Sequence, residues 1–184
     1  MVEARPTTLT YEDYLKTPDD ERWELLRGEL IMAPGPNTAH QRILFNLAFS
    51  LRAFVEERGL GEIFIAPYDV VLSHINVLQP DLLFVPTEQQ SIITDANIRG
   101  APALVIEVTS PSTASNDREV KRTIYAENGV GEYWLVDPDA RTISVMTSQG
   151  KDFREVGSYR MGETLSSPTL RGLALDLTSI FPPA

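Results

Sequence analysis

The chain has 184 residues, 42% hydrophobic and 23% charged, enough for one globular domain over residues 1–184 with a sizeable core. It contains no cysteine, which excludes disulfides and thiolate metal sites and fits a reducing compartment. Sixteen Lys and Arg stand against 26 Asp and Glu, a net charge of -10, so composition does not supply the basic face by which many proteins hold nucleic acid.

In chain order, "MVEARPTTLTYEDYLKTPDDERWELL" has no apolar core of signal-peptide length, and no later run approaches the roughly 20 apolar residues of a membrane span. A cytoplasmic protein without membrane contact is expected. "TLTYEDYLKTPDD" predicts a short helix capped by Thr8 or Thr10 and stopped near Pro18. "RWELLRGELIMAPGP" predicts a tight hairpin that turns at Arg27-Gly28 and ends at Pro34-Gly35-Pro36. From Asn37 to Arg58, Ile43, Leu44, Leu47, Ala48, Leu51, Phe54 and Val55 recur at three- and four-residue spacings, a helix that Gly59 closes. "GEIFIAPYDVVLS" reads as two strands around Pro67.

"LQPDLLFVP" (78–86) and "LVIEVTSPS" (104–112) read as buried strands, and "TEQQSIITDANIRGAPA" between them as loop with a helical turn. "SNDREVKRTIYAENGVG" is a helix that Asn116 can cap, with Glu119 three residues on as in a capping box. "EYWLVDP" and "TISVMTSQG" are strands, with Tyr133 and Trp134 as packing, and the remainder reads as short strands and a last helical turn. This order predicts an α/β (α+β) domain: a mixed β-sheet flanked by the Asn37–Arg58 and Asn116–Asn128 helices, with an N-terminal helix–hairpin extension. Strands from Thr142 onward extend the sheet or serve a dimer contact.

The two apolar strands each carry one carboxylate, Asp81 and Glu107. Singly, each has an ordinary explanation: Asp81 follows Pro80 and can take backbone amides, and Glu107 can face water. As neighbours of matching parity they share one face and repel, unless a cation lies between them or one keeps a proton. Such oxygen ligands suit Mg²⁺ or Mn²⁺, whereas two histidines and no cysteine serve a structural zinc poorly. Asp117, Lys121 and Tyr125 fall on one helical stripe at i, i+4 and i+8. An exposed Asp117–Lys121 pair is the ordinary reading. The helix directly follows the Glu107 strand through "SPSTAS", however, so its first half lies near that strand's end. A lysine arriving there can hold a water or offset phosphate charge.

"LQPDLLFVP", "VIEVTSPST" and "DREVKRTIYAENGVGEYWLVDP", linked with "ELLRGELI", "HQRI" and "GEIFIAPYDVVLS", resemble the Uma-two family. These are restriction-endonuclease-like proteins placed in the PD-(D/E)xK nuclease superfamily. The resemblance runs from "YEDYL" to the strand after "VDP", nearly the whole chain. It implies a restriction-endonuclease-like core and a Mg²⁺- or Mn²⁺-dependent endonuclease that cuts nucleic acid, with DNA as the expected substrate. It implies Asp81 as the motif aspartate and Glu107 as the second metal ligand, joined by the carbonyl of Val108. The superfamily's lysine lies two residues after that glutamate, where this chain has Thr109. Similar proteins carry it on the following helix, where Lys121 fits.

His40 stands at the start of the long helix, where the superfamily often keeps a polar group facing the site, although such a histidine also serves as a cap or surface residue. Gln79 can hold a water or ligand or merely sit in the strand. Glu24 and Glu29 flank the first hairpin turn, and either can face the site. "SPST" steers the chain from strand to helix. Arg22, Arg27, Arg42, Arg118, Lys121 and Arg122 are the cations available for a positive rim, and a homodimer would set two such rims along one duplex. Two further readings stay open. One is a catalytically inactive nuclease-fold binding or assembly module, favoured by Thr109 and the net charge. The other is a metal-dependent hydrolase of a small phosphorylated substrate. Convergence of Lys121 with Asp81 and Glu107 favours catalysis; a Lys121 pointing to solvent favours the module.

Overall fold

The computed structural model describes residues 8–181 apart from 19, 34 and 110–115, and for 116–118 the backbone only. Helix α1 (Tyr11–Tyr14) is one turn long. Of the two expected caps, Thr10 serves: its N–H and hydroxyl both donate to the Asp13 carboxylate, at 3.1 and 3.0 Å. Strands β1 (Trp23–Leu26) and β2 (Glu29–Met32) form the expected hairpin. Leu26 pairs with Glu29, and Arg27 and Gly28 both take positive φ, 53° and 80°, the two-residue turn that matches strand twist. Pro34, part of the expected hairpin end, lies outside the described residues.

Helix α2 (Thr38–Arg58) runs as its periodicity predicts. The Asn37 side chain accepts the His40 N–H at 2.9 Å, and Gly59 ends the helix in the left-handed region. Ile43, Leu44, Leu47, Leu51 and Val55 form its buried stripe.

Strands β3 (Gly61–Ile65), β4 (Val70–Ser73), β5 (Asn76–Leu78), β6 (Leu82–Pro86), β7 (Ile98–Arg99), β8 (Leu104–Val108), β9 (Glu132–Asp137), β10 (Thr142–Gln149) and β11 (Asp152–Arg160) divide into two sheets with the hairpin. One sheet has the order β2-β1-β5-β4-β7, the other β11-β10-β9-β8-β6-β3. A short pair, β12 (Thr164–Leu165) with β13 (Leu175–Asp176), precedes a final turn in which the N–H groups of Ile180 and Phe181 donate to Leu177. The larger sheet is mixed, with β8 antiparallel to β6 and parallel to β9.

Strand alternation explains the layers. Leu82, Phe84, Leu104, Ile106, Val108 and Trp134 face α2 and the C-terminal segment in one core. Leu83, Val85, Val105 and Tyr133 face the opposite way, against α3 (Arg122–Glu127) and the inner side chains of the smaller sheet, Leu26, Val70, Leu78 and Ile98. Leu25 and Val77, on the smaller sheet's outer face, meet Tyr14 of α1. Tyr133 packs between Tyr125 and Phe153 in tilted ring contacts, with centroids 5.5 and 5.6 Å apart, the packing role expected of it.

Three expectations are corrected in detail. "LQPDLLFVP" is not one strand: β5 ends at Leu78 in the smaller sheet and β6 begins at Leu82 in the larger. Pro80 has no N–H to give a ladder, so the chain changes sheets there and Asp81 lies just before β6. The hairpin is not an appendage but the edge of the second sheet, through the pairing of Leu25 with Val77. The helix after β8 opens as wide π-type turns over Asn116–Lys121 before α3, and the Asn116 side-chain cap lies outside what is described. The expected helical turn after β6 is a 3-10 turn, Thr87–Ile92.

Candidate active site

The site lies where β6 begins and β8 ends, in the middle of the larger sheet and at its strand ends. The register pairs Leu82 with Ile106. One step further along this antiparallel pair sets Asp81 opposite Glu107, as the matching parity predicted. Asp81 seals the ladder end: its Oδ2 accepts the Val108 N–H at 2.7 Å. The same oxygen accepts from His40 Nε2 at 3.1 Å. The Asn37 cap fixes the first turn of α2 and thereby carries this imidazole to the strand end. His40 is 7% exposed and Asp81 8%; the histidine therefore faces the site and is not a surface residue.

Glu107, 3% exposed, meets the helix that follows its strand. Lys121 Nζ is 3.2 Å from its Oε1, and the Tyr125 hydroxyl donates to the same atom at 2.7 Å. The i, i+4 spacing seen in the sequence thus points both side chains at one carboxylate; the Asp117 side chain lies outside what is described. Burial, and then the charge of Glu107, hold the Tyr125 phenol well above its ordinary pKa, so it remains a donor.

Lys121 has a second carboxylate, Glu24 Oε1, at 2.9 Å. The same Glu24 atom accepts the Gln79 N–H at 2.8 Å. Lys121 is 7% exposed and Glu24 4%. The hairpin's attachment to β5 therefore brings a carboxylate from the second sheet onto a lysine carried by the helix.

The remaining candidates fall as follows. Glu29 shares Glu24's face, since Leu26 pairs with Glu29 and Glu24 with Ile31, but it stands two rungs nearer the turn and is exposed. Of the two hairpin glutamates, Glu24 joins the cluster and Glu29 does not. The Gln79 side chain turns to Asp69 and Tyr14, 2.9 and 3.3 Å away, while Arg22 Nε donates to its Oε1 at 3.3 Å. Burial, followed by the bond to Asp69 at 2.7 Å, raises the Tyr14 phenol far above its ordinary pKa. Thr109, where the resemblance leads one to expect a lysine, gives its N–H and hydroxyl to the Val136 carbonyl. It serves the β8–β9 pairing. "SPST" lies outside the described residues. Tyr125 was visible in the Lys121 stripe but unassigned; only its phenol reach, beyond the lysine's, could have marked it as a partner of Glu107.

Three nearly buried carboxylates, Asp81, Glu24 and Glu107, share this region with the ammonium of Lys121 and with His40. Their oxygens, with the neighbouring main-chain carbonyl of Val108, are hard donors, and the surplus of negative charge fits a divalent cation. Among the described residues no three of His, Cys, Asp and Glu gather closely enough to enclose an ion alone.

The whole molecule has known relatives. The uncharacterized protein sll1609 of Synechocystis is 28% identical over 141 residues, covering 74% of this chain and 79% of that one. A solved structure from Anabaena variabilis, described as a "putative nuclease belonging to DUF820", superposes with a TM-score of 0.79 at 20% identity, over 94% of this chain and 97% of that one. This likeness shows that the chain shares that protein's fold. The family profile Uma2, described as "Putative restriction endonuclease", matches residues 11–178, nearly the whole chain, and the chain belongs to that family.

Proposed function

We propose that the protein is a metal-dependent endonuclease that hydrolyses phosphodiesters in nucleic acid, with DNA as the first substrate to test. The observation that carries this reading is Lys121 turned inward onto Glu107 and Glu24, one strand from Asp81. The binding-module reading is favoured by a Lys121 that points to solvent, whereas here it is 7% exposed. Asp81 and Glu107, with the Val108 carbonyl, would hold Mg²⁺ or Mn²⁺, which supplies Lewis-acid activation of the scissile phosphate.

The protein's own groups do the positioning. His40 and the Val108 N–H fix one oxygen of Asp81, and Tyr125 and Lys121 fix one oxygen of Glu107. The Lys121 ammonium holds the attacking water and offsets charge that builds on the phosphoryl oxygens. The water oxygen bonds to phosphorus and its proton passes to solvent, while the bond to the leaving nucleotide oxygen breaks and that oxygen takes a proton from solvent.

The test joins calorimetric Mn²⁺ titration with cleavage of labelled DNA and RNA, for the native chain and for Asp81→Ala/Glu107→Ala. Binding and metal-dependent cleavage are expected in the native chain and neither in the variant. Mn²⁺ binding and cleavage unchanged in the variant would sink the assignment of these two ligands. Metal binding without cleavage of any nucleic acid, by a folded chain, would favour the small-substrate hydrolase.

A further inference from the structure

We propose that the outer face of α2 docks a second copy of this chain as an antiparallel, two-fold helix pair centred on Phe49. Phe45 and Phe49 are 71% and 70% exposed, although they sit on the helix that forms one wall of the main core. A single exposed apolar residue needs no explanation, but two large aromatics on one stripe do.

The stripe is Arg42, Phe45, Phe49, Ala53 and Glu56, all exposed. At about 100° per residue these five fall within an arc of roughly 80°, directly opposite the buried stripe of Ile43, Leu47 and Leu51. Their spacing is symmetric about Phe49. Phe45 and Ala53 lie four residues to either side, and Arg42 and Glu56 lie seven. The charge is antisymmetric: Arg42 at one end, Glu56 at the other.

A surface with this pattern complements itself under a two-fold axis that reverses the helix. Phe49 then meets its own copy, Phe45 meets the partner's Ala53, and Arg42 meets the partner's Glu56. Such self-pairing is the commonest symmetry of homo-oligomers. A parallel pairing would set Arg42 on Arg42 and Glu56 on Glu56 and is disfavoured by charge. Arg52 already bonds Glu56 within the chain at 2.7 Å, so the partner's Arg42 would complete a three-member charge network at each end. The inference uses only this face and stands independently of the chemistry at the site. Its consequence for the site is geometric: the two His40 residues would lie roughly 27 Å apart along the helix axis, nine residues to either side of the centre.

The test is sedimentation velocity on the full chain and on Phe49→Glu, Arg42→Glu and Glu56→Arg, with circular dichroism to confirm folding. The native chain is expected to be a dimer and Phe49→Glu a monomer. Each single charge reversal sets two like-charged pairs across the interface and should weaken the dimer about tenfold or more. An equimolar mixture of Arg42→Glu and Glu56→Arg should recover a dimer of native strength, because each chain then offers the other opposite charges at both ends. A native chain monomeric at about 0.1 mM, a dissociation constant too weak to matter, would overturn the proposal. So would a dimer that survives Phe49→Glu, or a mixture that fails to recover. Single-stranded oligonucleotide bound by a monomeric native chain and lost in Phe49→Glu would assign the face to nucleic acid instead.

Discussion

Lys121 holds two carboxylates that come from different sheets, and each of the three groups is less than a tenth exposed. Removing one partner from a buried charge cluster costs more than the cluster itself contributes, because the remaining charges stay desolvated and unpaired. Lys121→Ala is therefore expected to destabilise the chain by about 3 kcal/mol, a fall in Tm of roughly 6–12 °C for a chain of this size. A divalent cation binds the folded form of such a site and can replace the missing charge. Mn²⁺ at millimolar concentration should therefore raise the Tm of Lys121→Ala more than that of the native chain. Equal shifts by differential scanning calorimetry would show that Glu24 and Glu107 do not share a cation-accessible site. At this scale the sequence was readable where partners were close along the chain or directly opposite. Asp81 and Glu107 announced themselves as charges in apolar segments, and Lys121 by following the Glu107 strand. Glu24 and Glu29 could not be told apart by parity, since the two-residue turn puts both on one face. Distance from the turn decided it, and that depends on β5, some fifty residues away.

Among the elements, the β1–β2 hairpin positions Glu24, so its own placement matters to the cluster. Its tip is tied on both sides: the Gly28 N–H donates to Ile75 and its carbonyl accepts from Leu9, both at 2.9 Å. A Cβ on Gly28 would come within 2.3 Å of the Thr8 methyl and 3.1 Å of the Leu9 carbonyl, at a φ of +80° that suits glycine. Gly28→Ala is expected to cost about 1–2 kcal/mol, while Arg27→Gly at the other turn position stays within roughly 0.5 kcal/mol. Arg27 gives up only an exposed pair with Glu127. Urea unfolding of both variants checks this, and a Gly28→Ala chain as stable as the native one would mean the tip can shift freely. Helix α2 was fully legible because cap, apolar period and closing glycine all agree. "LQPDLLFVP" misled because a continuous apolar run reads as one strand, whereas Pro80 breaks the ladder and hands the chain from one sheet to the other. The π-type opening before α3 leaves no comparable mark, since the local residues favour an ordinary helix.

The whole molecule sets the limit on the nucleic-acid affinity that the proposed function would need. Its second sheet joins two hairpins, 23–32 and 70–78, and the strand at 98–99, and no local pattern encodes how these three pair with one another. This folding also engages cations that the sequence offered for a positive rim. Arg27 pairs with Glu127 at 3.2 Å, Arg122 with Asp152 at 2.8 Å, and Lys121 with Glu24 and Glu107. Arg22 bonds Gln79, and Arg42 lies on the exposed face of α2. The Arg118 side chain is outside the described residues. On a chain of net charge -10, few of the six rim cations are then left among the described residues to neutralise phosphates, and in the proposed function a bound divalent ion would carry much of the attraction near the site. Duplex DNA binding, followed by fluorescence anisotropy with Ca²⁺ in place of Mg²⁺, should therefore show a shallow slope of log affinity against log salt, about -2 for two phosphate contacts per chain. A slope of about -6 would require six or more engaged cations. These intramolecular pairs would then have to open on DNA, and the acidic balance would say nothing about how the protein grips its substrate.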